Sequence, residues 1–226
     1  MTNRARIELH TIGAESVPVV VVDGFARDPE YLRELANAAK FQPMGDFYPG
    51  RRAPVPQCYF EDVGQLLGGI FQRAYACSAK MSVERALYSI VSTPPAELSI
   101  AQRIPHIDNI GTDQFAMVHY LSHEDFGGTG FYRHRETGFE TITSDRHRLY
   151  LDRLEQDFSE KGKPKPGYIE GDTALFEQIG LIEHRYNRAV IYPGNLLHCS
   201  LTRNDLFYPD DPLAGRLTIA AFMLAR

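Results

Sequence analysis

Residues 103–134 read RIPHIDNIGTDQFAMVHYLSHEDFGGTGFYRH, and this stretch decides the fold class. QFAMVHYL (114–121) and the run 128–133 are short, apolar and rich in β-branched and aromatic residues, so each reads as a strand. The polar SHEDFGG between them is a turn, with Gly127 and Gly128 supplying turn geometry rather than chemistry. His106 and Asp108 stand two residues apart at the end of an earlier β segment predicted at 97–104. Side chains at i and i+2 of an extended chain point to the same side, so both can reach one ion.

Outward from this stretch the same texture continues. Strands are predicted near 86–92, 177–184, 188–192 and 216–224, and a β-rich region with this many short strands folds as a sandwich or jelly roll. The first 85 residues differ. VPVVVV (17–22) is a strand closed by the Asp23-Gly24 turn, and Asp28-Pro29 places an N-cap and a first-turn proline at the start of a helix running to about Lys40. FQPMGDFYPGRRAPVPQ (41–57), dense in Pro and Gly, is expected to be an irregular loop. Val63, Leu66, Leu67, Ile70, Phe71, Ala74 and Tyr75 then form one apolar stripe at helical spacing, with Asp62 as the expected cap. These helices would buttress one sheet of the β core. Within that core, DRHRLYLDRLEQDFS (145–159) has helical spacing and is followed by a Lys/Pro/Gly-rich loop, so 141–171 is an insertion that is either a lid or solvated decoration.

The facial triad of a non-haem iron site needs two neutral imidazoles and one carboxylate on one side of the metal, leaving the other positions open. His106 and Asp108 supply two ligands, and His198 in IYPGNLLHCS is the candidate third. The short motif is weak alone: 8 His and 29 acidic residues in 226 give about one H-x-[DE] by chance. The chain has two more, at His123–Asp125 and His134–Glu136. His123 falls in a polar turn and His134 in the charged run YRHRE, so both are expected to be solvated; His106 alone is followed in order by a strand, a late His and an Arg-bearing last strand.

With those motifs in place, HIDNIGTDQFAMVHYLSHEDFGGTGFYRH, then VIYPGNLLH, then GRLTIAAFML resemble the catalytic core of the prolyl-4-hydroxylase-like branch of Fe(II)/2-oxoglutarate-dependent oxygenases, over about residues 98–224. The resemblance implies a double-stranded β-helix with H-x-D on its second strand, and an Arg on the last strand that pairs with the far carboxylate of 2-oxoglutarate. Arg216 matches that Arg, Thr218 a hydroxyl residue two positions on, and Tyr120 a tyrosine that in some relatives hydrogen-bonds the co-substrate. Tyr120 reads equally as a core residue with its hydroxyl satisfied by backbone. Strand periodicity independently puts Arg216 and Thr218 on one face, and a guanidinium fork suits a carboxylate. The spacing departs from the usual in two places. Asp108 to His198 is 90 residues, which the 141–171 insertion explains, and His198 to Arg216 is 18, which requires TRNDLFYPDDPLAG to be an excursion between the last two strands. Arg203 lies in that excursion and is expected to be solvated. Retention of Asp108 runs against a halogenase, since halogenating relatives lack the carboxylate.

Bulk properties set the remaining limits. Hydrophobic content of 43% and the lack of a long apolar run describe an ordinary globular chain and not a membrane protein. With no linker visible it reads as one domain, 1–226, with 1–85 as helical support and 86–226 as β core, which the resemblance makes an oxygenase domain. Net charge of −5 runs against nucleic-acid binding. Cys58, Cys77 and Cys199 read as free thiols of a reducing, cytoplasmic protein, and the N-terminus lacks a secretory core. The expected function is an Fe(II)- and 2-oxoglutarate-dependent hydroxylase using O2 on a small-molecule or peptide/protein substrate. Two alternatives remain open: a cupin-like metalloenzyme without 2-oxoglutarate, and a catalytically silent β-helix that binds or assembles. Arg51 and Arg52 are either surface residues or partners for an anionic substrate group.

Overall fold

The computed structural model describes residues 5–45, 47–77 and 81–225, so Met1–Arg4, within the N-terminal stretch, lie outside the described residues. β1 (Arg6–Ile12) and β2 (Val17–Asp23) pair antiparallel. The valine run of β2 has no polar alternation because both of its faces are covered: Val20 and Val22 join the core under the helices, whereas Val19 and Val21 face the space between the sheets.

α1 (Pro29–Ala38) starts as predicted, with the Asp28 carboxylate accepting from the Tyr31 N–H. β3 (Gln42–Pro43) and β4 (Gly50–Pro54) correct the expected loop. These prolines end short strands at the sheet edge, where a missing N–H costs no ladder bond, and β4 pairs with the longer β5 (Met81–Val91). α2 (Cys58–Ala74) begins before the expected cap, because the Pro56 and Gln57 carbonyls already accept from Tyr59 and Phe60. Asp62 instead lies inside the helix and binds the Arg27 N–H and guanidinium.

Where a strand was expected at 97–104, the chain makes two 3-10 turns, Pro95–Glu97 and Ile100–Arg103. Pro94-Pro95 starts the first, and a Ser99–Gln102 capping box closes the second, so local hydrogen bonds outcompete strand pairing. The remaining elements are β6 (Gln114–Tyr120), β7 (Thr129–His134), α3 (Ser144–Lys161), β8 (Phe176–Ile182), β9 (Arg188–Pro193), β10 (His198–Ser200) and β11 (Leu217–Ala225).

Among the described residues the strands form an eight-stranded sheet, β1-β2-β9-β6-β11-β5-β4-β3, facing a three-stranded sheet, β10-β7-β8. This is the expected jelly roll. α1 and α2 cover the outer face of the large sheet through Leu32, Ala36, Val63, Leu67, Ile70 and Phe71, each large side chain contributing about 1.5–3 kcal/mol by burial. Between the sheets lie Val19, Tyr120, Phe131 and Tyr192.

α3 packs Tyr150 and Leu154 onto Tyr132, Phe176 and Leu197 of the small sheet. His134 is fully buried and not solvated as expected: its Nε2 lies 3.0 Å from the Asp157 carboxylate of α3, and its Nδ1 contacts Thr137 at 3.0 Å. The loop after α3 is also tied down, with Tyr168 donating to the Thr93 carbonyl and Asn204 bonding the Tyr168 backbone in both directions. No helix among the described residues is long and apolar enough to cross a membrane, and all three cysteines are free.

Candidate metal centre and the cavity beside it

His106 and Asp108 do not end a strand. They lie on an extended segment that joins the small sheet through one bridge, in which His106 and His198 exchange backbone hydrogen bonds of 2.9 Å each. Two residues on, the Asp108 N–H donates to the Gly194 carbonyl at 2.8 Å. Gly194 permits this close approach, since a Cβ there would sit 2.2 Å from Asn109 Nδ2. A β-bridge therefore brings together candidate ligands 92 residues apart, and the i, i+2 rule puts Asp108 beside His106.

One ligand atom from each of His106, Asp108 and His198 lies within 4.8 Å of the others. The Nε2 atoms of His106 and His198 point at opposite oxygens of Asp108, at 3.9 and 3.4 Å. His198 contacts the Leu196 carbonyl through Nδ1 at 2.8 Å, so Nδ1 carries the proton and Nε2 presents a lone pair. Tyr192 holds the ring from one side at 4.7 Å. His106 is surrounded by protein, yet half of its side chain faces the cavity. Burial, then the neighbouring His198, pushes its pKa down to about 4, favouring the neutral form that ligates. Asp108 is raised by burial, but the histidines and Arg52 together outweigh this and hold it below the usual carboxylate range. Two lone pairs and a carboxylate converging on one point suit a divalent cation, and the donor set is that of a non-haem iron site.

The ligands line a cavity of about 970 Å³ that also takes in Arg216, Thr218 and Arg52, with His147 and Tyr150 of α3 as one wall. Arg216 immediately precedes β11, 3% exposed, and its Nε is buried without a hydrogen-bond partner. Thr218 shares its face and is paired in register with Tyr120. Tyr120 is fully buried, with its hydroxyl 2.5 Å from Thr129 Oγ1 and its ring 6.0 Å from the Arg216 guanidinium. Its hydroxyl is thus satisfied by a side chain, and it backs Arg216 instead of lining the cavity. Gly127, with φ +95°, and Gly128 are turn residues as expected. Arg203 is half exposed and paired with Asp205. His123 is half exposed and paired with Glu30.

Residues 3–223 match a family described as "Family of unknown function (DUF6445)". The chain belongs to this family. No curated protein sequence matches it. Among solved structures it is similar to HygX from Streptomyces hygroscopicus with nickel, 2-oxoglutarate and hygromycin B bound, at TM-score 0.53 and 12% identity, covering 93% of this chain and 84% of that one. The iron-bound form of HygX matches at TM-score 0.51 and 11% identity, over 93% and 83% of the two chains. At such identity the likeness is one of fold.

Tyr48 has no sequence signal of its own, and the sequence left Arg51 and Arg52 undistinguished between surface residues and partners for an anionic group. Arg52 is not on the surface: its guanidinium stacks on Tyr48 at 4.0 Å inside the cavity, whereas Arg51 points the other way and pairs with Asp210 at 2.6 Å. Adjacent strand residues face opposite ways, so recognising β4 as a strand would have separated the two arginines.

Proposed function

We propose that this chain is a non-haem Fe(II)- and 2-oxoglutarate-dependent oxygenase, with His106, Asp108 and His198 as metal ligands and Arg216 and Thr218 as the anchor for the far carboxylate of 2-oxoglutarate. The observation that carries the reading is that the ligand cluster shares its cavity with a buried arginine that makes no ion pair among the described residues. A cluster alone would suit a cupin-like enzyme equally well; a partnerless guanidinium at the start of the last strand supplies the missing half. HygX, which shares the fold, holds 2-oxoglutarate and nickel in its crystal structure, and this supports the same assignment.

Iron bound here, with 2-oxoglutarate and O2, would supply the oxidising power to remove hydrogen from a substrate C–H bond, while 2-oxoglutarate leaves as succinate and CO2. The residues of the chain prepare for this. The Leu196 carbonyl fixes the His198 tautomer, the bridge fixes the His106–Asp108 spacing, and Arg216 orients the co-substrate by two parallel hydrogen bonds. Tyr120 keeps the Arg216 end dry. Hydroxylation of a small molecule or a peptide or protein side chain is the proposed outcome, and the 98–224 motifs favour the prolyl-4-hydroxylase-like branch.

Anaerobic addition of Fe(II), then 2-oxoglutarate, tests this. The expected result is uptake of one metal followed by a weak visible charge-transfer band, with metal lost in His106→Ala, Asp108→Ala and His198→Ala and kept in His123→Ala. Metal uptake without the band makes the protein cupin-like. No uptake makes it a silent binding module.

A further inference from the structure

The cavity holds a second cation that the co-substrate does not account for. Arg52 on β4 is in register with Ser89, Ser89 with Thr218 and Thr218 with Tyr120, so the four side chains form one row across the sheet on the face that meets the metal cluster. Arg52 and Thr218 are two strands apart, about 10 Å, and both open into one chamber. The Arg52 Nε is buried with no hydrogen-bond partner, and no carboxylate pairs with it among the described residues. The Tyr48 ring holds the guanidinium flat at 4.0 Å. Glu84, also on the cavity wall, lies against Gln114 instead. Arg85 adds like charge beside Arg52 rather than cancelling it. Arg52 lines the same cavity as His106 and Asp108, so a group docked on it faces the candidate metal ligands.

A divalent ion, Asp108, Arg216 and the two carboxylates of 2-oxoglutarate sum to zero, and the exposed Glu84 and Arg85 of the wall offset one another, leaving Arg52 as one positive charge uncompensated. We infer that the primary substrate carries a single carboxylate, which docks on Arg52 and so fixes which C–H bond faces the metal. A guanidinium held flat on an aromatic ring presents its fork edge, the geometry that takes a carboxylate by two hydrogen bonds. This rests on the reading of Arg216 as the 2-oxoglutarate anchor.

The test reads binding rather than turnover. Protein loaded with Zn(II), a redox-inert stand-in, and saturating 2-oxoglutarate is titrated with 4-fluorophenylacetate, its neutral amide 4-fluorophenylacetamide, and 4-fluorobenzylphosphonate, followed by fluorine NMR line broadening. The parent protein should bind the carboxylate at least tenfold more tightly than the amide and more tightly than the phosphonate. Arg52→Gln should erase the preference over the amide, Arg52→Lys should keep only part of it, and calorimetry should give 2-oxoglutarate affinity unchanged within about twofold in both. Equal binding of carboxylate and amide by the parent overturns the inference, as does a phosphonate preference. If Arg52→Gln loses 2-oxoglutarate as Arg216→Gln does, Arg52 belongs to the co-substrate. Failure of the underlying reading looks different: 2-oxoglutarate then does not bind the parent at all, while the carboxylate preference still disappears with Arg52→Gln.

Discussion

Arg216→Met separates a binding arginine from a structural one by the sign of its effect on stability. Arg216 is 3% exposed and has no hydrogen bond or ion pair with the described residues; the Tyr120 ring lies 6.0 Å from its guanidinium, and Tyr48 and Tyr192 line the same cavity. Tyr48 itself has a buried hydroxyl without a partner, so the surroundings offset the charge only in part. A buried ion costs several kcal/mol, and replacing buried charge by an apolar chain of similar length stabilises by about 1–4 kcal/mol. With the residual tyrosine dipoles retained, we expect the ligand-free variant to gain about 1–3 kcal/mol, a rise in Tm of roughly 2–4 °C per kcal/mol for a chain of this size. Adding 2-oxoglutarate to the metal-loaded proteins should cut the variant's advantage by about 2–3 kcal/mol. At a hundredfold excess over its Kd the parent gains about 2.7 kcal/mol, whereas the variant, having lost about 2–5 kcal/mol of co-substrate binding, gains less than about 1 kcal/mol. Urea unfolding of both proteins, with and without 2-oxoglutarate, reads all four stabilities. If ligand-free Arg216→Met is less stable by about 3–5 kcal/mol, the arginine completes a structural pair and the co-substrate assignment falls.

Two further predictions concern buried histidines. His119 takes a contact from the Tyr59 hydroxyl at Nδ1 and lies 3.0 Å from Asn187 Oδ1 through Nε2, and burial pushes its pKa down to about 4. Below about pH 6.5 the unfolded chain binds a proton that the folded chain refuses, so stability is full above that pH and is lost as pH falls towards 4. Urea unfolding at pH 5 and 7 should differ by about 2 kcal/mol on this account, and His119→Gln should shrink the difference; an unchanged difference would reject His119 as the source. Asp157 lies between His134 and Arg153, fully buried, with the Arg153 bond at 2.8 Å. Asp157→Ala should cost about 3 kcal/mol by stranding buried His134, while Arg153 keeps Glu136 and Glu160, and should loosen the α3 wall, seen as faster proteolysis between Lys161 and Lys165; a stable, protease-resistant variant would show that apolar packing alone holds α3.

Much of the molecule was legible in the residue order because its causes are local or periodic. The short apolar run at 114–121, the Asp28-Pro29 cap, the apolar stripe of α2 and the i, i+2 placement of His106 and Asp108 depend on neighbours a few residues away. The family resemblance supplied the order in which His198 and Arg216 must follow. Where local signals competed, the reading failed: the Ser99–Gln102 capping box turned an expected strand into 3-10 turns, and pairing with β5 turned an expected Pro/Gly loop into β4. Only the tertiary structure could bury His134 against Asp157, set Arg52 beside Tyr48 in the same chamber as Arg216, and leave both guanidiniums without a carboxylate partner among the described residues. Each of these depends on which strands lie side by side across the sheet, and strand order is set by packing of the whole core, a long-range quantity that no window of sequence contains.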